Sequence, residues 1–241
     1  MKSSMPSSSA LVMAAIVLAS TTFLAAHAQS FCASDGQPEP VALLERFISA
    51  DCETCWADGK APRAGERELA LDWVLPSVKG DDAPLSAVAS RDALQRLEAL
   101  GAAPVTASWS RKTAIPRQTG SLRVAHGLPL GDYLGTSIEL KPVPRTPKAH
   151  SWTAWLAMVE TLPAGTENSP VERNLVRNVL QTNWSKHKQL LNKEQIRFFE
   201  ARSMRLAEGV NPTRIRVVGW VEDEKGRVVK AAQSRCAATA G

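Results

Sequence analysis

Apolar and polar positions divide this chain into elements with two different periods. VALLERFISA, Val41 to Ala50, is a short apolar run behind a Gly/Pro-containing lead-in and predicts a buried strand. ELALDWVLPSV predicts a second strand that ends near Pro76. In ASRDALQRLEAL the period becomes helical: Ala93, Leu94, Leu97 and Leu100 share one face, Ser90 stands at the N-cap, and Gly101 ends the run. PVTASWS predicts a third strand. Beyond Ser110, SLRVAHGLPLGDYLG and LKPVPRTPKAH are broken by Gly and Pro, which favours loops and edge segments. SWTAWLAMVETL predicts a strand, and TRIRVVGWVEDEKGRVVKAAQS predicts a hairpin turning at Asp223 to Gly226. The stretch SKHKQLLNKEQIRFFEARSMRLAEG suits a helix by composition, although RFFEARSMRL also reads as an extended strand.

The first residues change the picture most. Lys2, an apolar segment from Ala10 to about Ala26 and the small residues Ala26 and Ala28 form the three-part pattern of a secretory signal peptide, cleaved before Gln29. Ser20, Thr21 and Thr22 interrupt the run, which disfavours a permanent membrane anchor. The residues before Cys32 lack the pattern of a lipid attachment site. Export to the periplasm or the medium, with no integral membrane segment after signal removal, is the expectation, and such compartments let disulfides persist. The chain is 44% hydrophobic and 22% charged, as a globular protein is. Its formal charge is +5, and much of the positive charge falls late, among interspersed glutamates. That pattern reads as a solvated face and calls for no nucleic-acid partner.

Four cysteines, Cys32, Cys52, Cys55 and Cys236, allow three pairings. Cys32 and Cys236 lie near opposite ends of the exported chain, and domain termini often meet on a surface. The simplest pairing therefore joins these two as a structural tie and leaves Cys52 to Cys55. Cys52 and Cys55 form a Cys-x-x-Cys after a predicted strand and at a prospective helix start, where amide groups support a thiolate. Cys52 would attack and Cys55 resolve. Gly59, Pro62 and Gly65 weaken any helix that follows, and Asp51 and Glu53 flank the first cysteine with negative charge, so a local staple is the competing reading. Metal binding is disfavoured: no second Cys-x-x-Cys exists, and His126, His150 and His187 form no ligand-spaced cluster. Trp56 in place of a histidine excludes a haem attachment motif. No cofactor is implied.

Three stretches carry a family resemblance. VALLERFISADCETCWAD, AGTENSPVERNLVRNVL and RVVGWVEDEKGRVVKAA resemble, in order, the landmarks of the secreted thioredoxin-like proteins catalogued as domain of unknown function 1223. The resemblance implies an α/β fold with a thioredoxin-like N-terminal half and a β-rich C-terminal half, divided as signal peptide 1–28, thioredoxin-like region 29–110 and β-rich region 111–241. It places Cys52 and Cys55 at the redox position. The family's Thr-Pro-Gln has no clean counterpart, but Pro104 falls at the matching place and would receive a substrate strand, with an ordinary trans proline opening a strand as the alternative; Trp56 replaces a frequent Pro after the second cysteine. Trp56 and Trp73 are candidate site-lining residues, with core packing the alternative. Glu167, Asn168 and Arg177 are expected as buried or hydrogen-bonded structural polar residues. Two functions result: a thiol-disulfide oxidoreductase acting on exported protein thiols through Cys52 and Cys55 with Pro104 and Trp56 at the substrate, or a non-catalytic binding or assembly factor in which both disulfides are structural.

Overall fold

The computed structural model describes residues 32–141, 151–185 and 197–236. The proposed signal peptide, His150 and His187 lie outside them. Strands dominate the described residues. The first is a two-residue β1 (Cys32–Ala33), followed by β2 (Ala42–Ser49), the four-residue α1 (Glu53–Trp56) and β3 (Glu68–Leu75). α2 (Arg91–Ala99) precedes β4 (Ser108–Ala114), β5 (Ser121–His126) and β6 (Tyr133–Lys141). The remainder is β7 (Ser151–Leu162), β8 (Arg173–Ser185), β9 (Phe198–Arg205), β10 (Ile215–Asp223), β11 (Val228–Gln233) and β12 (Arg235–Cys236). These strands form one sheet ordered β11-β10-β7-β8-β3-β2-β4 and a second ordered β12-β1-β5-β6-β9.

This architecture corrects the expected α/β thioredoxin-like fold. A parallel sheet needs helices over both faces. Here only β2–β3 and a single β3–β8 register pair are parallel, and every other pairing is antiparallel. α2 covers one face of the larger sheet; the other is covered by the smaller sheet. β7 shows the division: Trp152, Ala154, Leu156 and Met158 pack toward the smaller sheet, whereas Trp155, Ala157 and Val159 pack toward α2. The described residues are accordingly mostly β, in two sheets.

The larger sheet curls around α2. Its two edges, β4 and β11, return toward one another across a cleft of about 540 Å³ lined by Arg111 and Thr113 on one side and Val228 and Val229 on the other. Residue 110 falls inside β4, and the larger sheet draws strands from both sides of it. The two sheets meet closely at Gly219, where an added Cβ would lie 2.5 Å from Val124 Cγ1 and 2.9 Å from Ile138 Cδ1.

Ser90 caps α2 as the sequence predicts, accepting the Ala93 N–H at 3.2 Å, and Gly101 follows with φ +65°. The buried face of α2 differs from the aliphatic reading: Leu94 is exposed, and Arg96 is buried with Ala93 and Leu97. Arg96 forms a two-pronged pair with Glu45 of β2 at 2.7 and 2.8 Å and an ion pair with Glu222 of β10 at 2.7 Å. Glu222 also accepts the indole N–H groups of Trp155 and Trp220, between whose rings and its own carboxylate partners the Arg96 guanidinium lies. Burying such charges is tolerable because each finds a partner.

Candidate functional site

The carboxyl ends of the parallel strands β2 and β3 lie side by side, and β2 delivers Cys52 directly from there. The Ala50 N–H reaches Leu75 O of β3 at 2.9 Å, and the Cys52 N–H reaches Ser49 O at 2.9 Å. Cys52 caps α1, its Sγ accepting the Cys55 N–H at 3.2 Å, and it is bonded to Cys55. The two sulfurs have different surroundings. Both cysteines are half-buried; Cys52 Sγ lies 3.5 Å from the exposed Thr54 hydroxyl, and Cys55 packs against the buried cluster of Ile48, Ala50, Trp56 and Val74. Asp51, expected to burden Cys52 with negative charge, is paired with Lys79 at 3.4 Å.

A helix of one turn, followed by Gly59 and Pro62, is poorly held by its own backbone. Here an arginine network holds it. Asp72 of β3, fully buried, accepts Arg46 at 2.6 Å, Arg173 at 3.3 Å and the Asn174 N–H at 2.6 Å. Arg46 also donates to Pro62 O at 2.8 Å, which fastens the glycine- and proline-containing segment. Arg173 donates to Cys55 O at 3.2 Å and to Trp56 O, the carbonyls that the end of α1 leaves unpaired. Burial pulls the Arg173 guanidinium below its ordinary pKa, with the neighbouring Asp72 opposing that pull.

Trp56 is turned into the core behind the disulfide. Its Nε1 donates to Glu167 O at 2.7 Å, and the Arg173 guanidinium stacks 5.0 Å from its ring. The indole is 4% exposed, so it offers no face to a substrate. The left-handed backbone of Glu167 and Asn168, φ 47° and 57°, presents that carbonyl, while both side chains are exposed. Of the three polar residues expected to be structural, Arg177 is paired, with Glu160 at 2.6 and 2.8 Å; Glu167 acts through its backbone carbonyl, and Asn168 is an exposed residue of the same left-handed turn.

A cleft of about 300 Å³ opens beside the disulfide, lined by Cys55, Asp58, Arg46, Arg173, Phe47 and Trp109 among others. Trp109 is the aromatic residue that the sequence reading did not assign to the site. It is half-buried on β4, tilted against Phe47 with ring centroids 5.5 Å apart. The strand that PVTASWS predicts, beside the cysteine strand, was the available signal. Trp73 is wholly buried and stacks on Phe47 from the core side. Pro104 is exposed in the segment between α2 and β4 and is not among the residues lining the cleft. That segment is tied to the cysteine strand at Ala107, whose carbonyl accepts the Ser49 N–H at 2.8 Å.

Cys32 and Cys236 are bonded to each other across 204 residues, directly opposite in the β1–β12 register. His126 of β5 stands opposite Cys32 on the other side of β1, a neighbour that linear spacing conceals. Burial pushes its imidazole pKa down.

No protein-family model matches the sequence, and no curated protein matches it. Among solved structures, the chain is similar to HBP35 of Porphyromonas gingivalis, with a TM-score of 0.51 and 12% identity over 84% of this chain and 78% of that one. At that identity the likeness concerns the fold alone. The protein thus contains two disulfides, and among the described residues no helix is long and apolar enough to cross a membrane.

Proposed function

We propose that this is an exported thiol-disulfide exchange protein working through Cys52 and Cys55 on protein thiols and disulfides. The observation that carries the reading is the setting of the pair at the carboxyl ends of β2 and β3: both cysteines are half-buried, Cys52 Sγ lies beside the exposed Thr54 hydroxyl, and Cys55 packs on the core and lines an open cleft. Export rests on the N-terminal sequence pattern and agrees with two disulfides. The resemblance to the domain of unknown function 1223 family enters only through the cysteine pair.

In the reduced protein the Cys52 thiolate attacks one sulfur of a substrate disulfide, and the substrate's S–S bond breaks with its electron pair on the departing sulfur. The Cys55 thiolate then attacks Cys52 Sγ, which forms the Cys52–Cys55 bond and releases the second substrate thiolate. Substrate gains two electrons and the pair loses two; the opposite direction retraces these steps. The Cys55 N–H, 3.2 Å from Cys52 Sγ in the bonded form, is positioned to support the charge on that sulfur when the bond opens. Cys55→Ser removes the resolver and keeps the attacker, so it should trap mixed disulfides with exported proteins, whereas Cys52→Ser should trap far fewer. Equal absence of adducts from both variants contradicts the proposal.

The second reading, a non-catalytic factor with structural disulfides, is favoured by one feature: Arg173 and Arg46 lock α1 and the following segment, as a staple would need.

A further inference from the structure

The ladder β5–β1–β12 places three sulfur and nitrogen ligands in a row. Cys32 pairs with Cys236 on one side and with His126 on the other, so the three side chains share one face of the smaller sheet. Their ligating atoms all lie within 4.8 Å of one another. The histidine is prepared for this role. Its Nδ1 lies 2.9 Å from Gly127 O, and a carbonyl only accepts, so Nδ1 carries the proton and Nε2 the lone pair. Nε2 is buried with no hydrogen-bond partner, in a residue 5% exposed. An unsatisfied polar atom in that position is costly in a merely structural strand end. Cys236, by contrast, is exposed and leaves one side of the group open to water.

We propose that reduction of the Cys32–Cys236 bond turns this group into a zinc site, with Cys32 Sγ, Cys236 Sγ and His126 Nε2 as ligands and water in the fourth position. A dithiol reductant poised below the potential of a structural disulfide supplies two electrons and two protons, becoming a disulfide as the bond opens to two thiols. Zinc(II) then displaces both thiol protons and is held by two thiolates and a neutral imidazole, a three-ligand set that leaves an exchangeable position. The same strand junction is thus closed either by a covalent bond or by a metal ion, depending on redox state. The site is independent of Cys52 and Cys55.

The test uses the full exported chain carrying Cys52→Ser and Cys55→Ser, which removes the other two thiols. Zinc uptake is measured by competition with a chromophoric chelator before and after reduction with a phosphine, which offers no competing thiol. The expected result is one equivalent of zinc bound after reduction and none before, with His126→Ala weakening binding by about tenfold or more. Melting curves of the reduced chain follow folding, and zinc should raise the transition temperature. The proposal is overturned by a reduced chain that takes up no zinc, by one that stays unfolded in excess zinc, or by a His126→Ala variant that binds as tightly as its parent.

Discussion

At the scale of single residues, the protein is organised by buried charges that act on backbone and on each other. Asp72 gathers Arg46, Arg173 and the Asn174 amide, and through Arg173 fixes α1, which carries Cys55. Arg96 gathers Glu45 and Glu222 inside the curl of the larger sheet. Breaking a buried pair leaves an uncompensated charge, so Glu45→Gln should cost about 3 kcal/mol or more, read as a lower urea midpoint with unchanged m. An outcome within 0.5 kcal/mol, roughly the scale of ordinary surface substitutions, would show the charge is not held there. Gly219 is the complementary case, set by space. A methyl group there meets Val124 and Ile138, and Gly219→Ala should cost about 1–3 kcal/mol through forced separation of the sheets.

At the scale of elements, the legibility of the sequence follows what each strand does with its polar residues. VALLERFISA, ELALDWVLPSV and SWTAWLAMVETL became β2, β3 and β7, because their apolar runs are buried on both faces. The helix 89–100 and the closing hairpin also follow their signals, a cap in one and a turn in the other. β8 was not legible as a strand. Arg173, Asn174, Arg177, Asn178, Gln181 and Asn183 interrupt it; Arg173 and the Asn174 N–H are paired with Asp72, and Arg177 with Glu160, partners that only tertiary structure supplies. β5 and β6 were read as loops and edges because of Gly127, Pro129 and Gly131, which in fact occupy the connection between them. The fold class was misread for a related reason. The local order strand, cysteine pair, strand, helix, strand is present, but the sequence does not say that a second sheet, not helices, covers the remaining face. The cysteine positions were legible; their surroundings, Arg173 above all, were not.

At the scale of the whole molecule, the two disulfides differ in what they constrain. Cys32–Cys236 closes 204 residues and Cys52–Cys55 closes three. In the chain-entropy account the first stabilises the fold by about 5 kcal/mol and the second by about 2 kcal/mol. Denaturation of the paired alanine variants should show that ranking, and an equal or larger loss from Cys52→Ala with Cys55→Ala would favour the staple. The central claim, that Cys52–Cys55 exchanges electrons with other proteins, is tested most directly by equilibrating the folded chain in graded dithiol buffers and mapping each bond by mass spectrometry after thiol trapping. The account predicts that Cys52–Cys55 opens under milder reduction while Cys32–Cys236 stays closed at potentials down to about −300 mV, the range of structural disulfides. If Cys52–Cys55 resists reduction as firmly as Cys32–Cys236, the pair is a staple and the exchange function is contradicted.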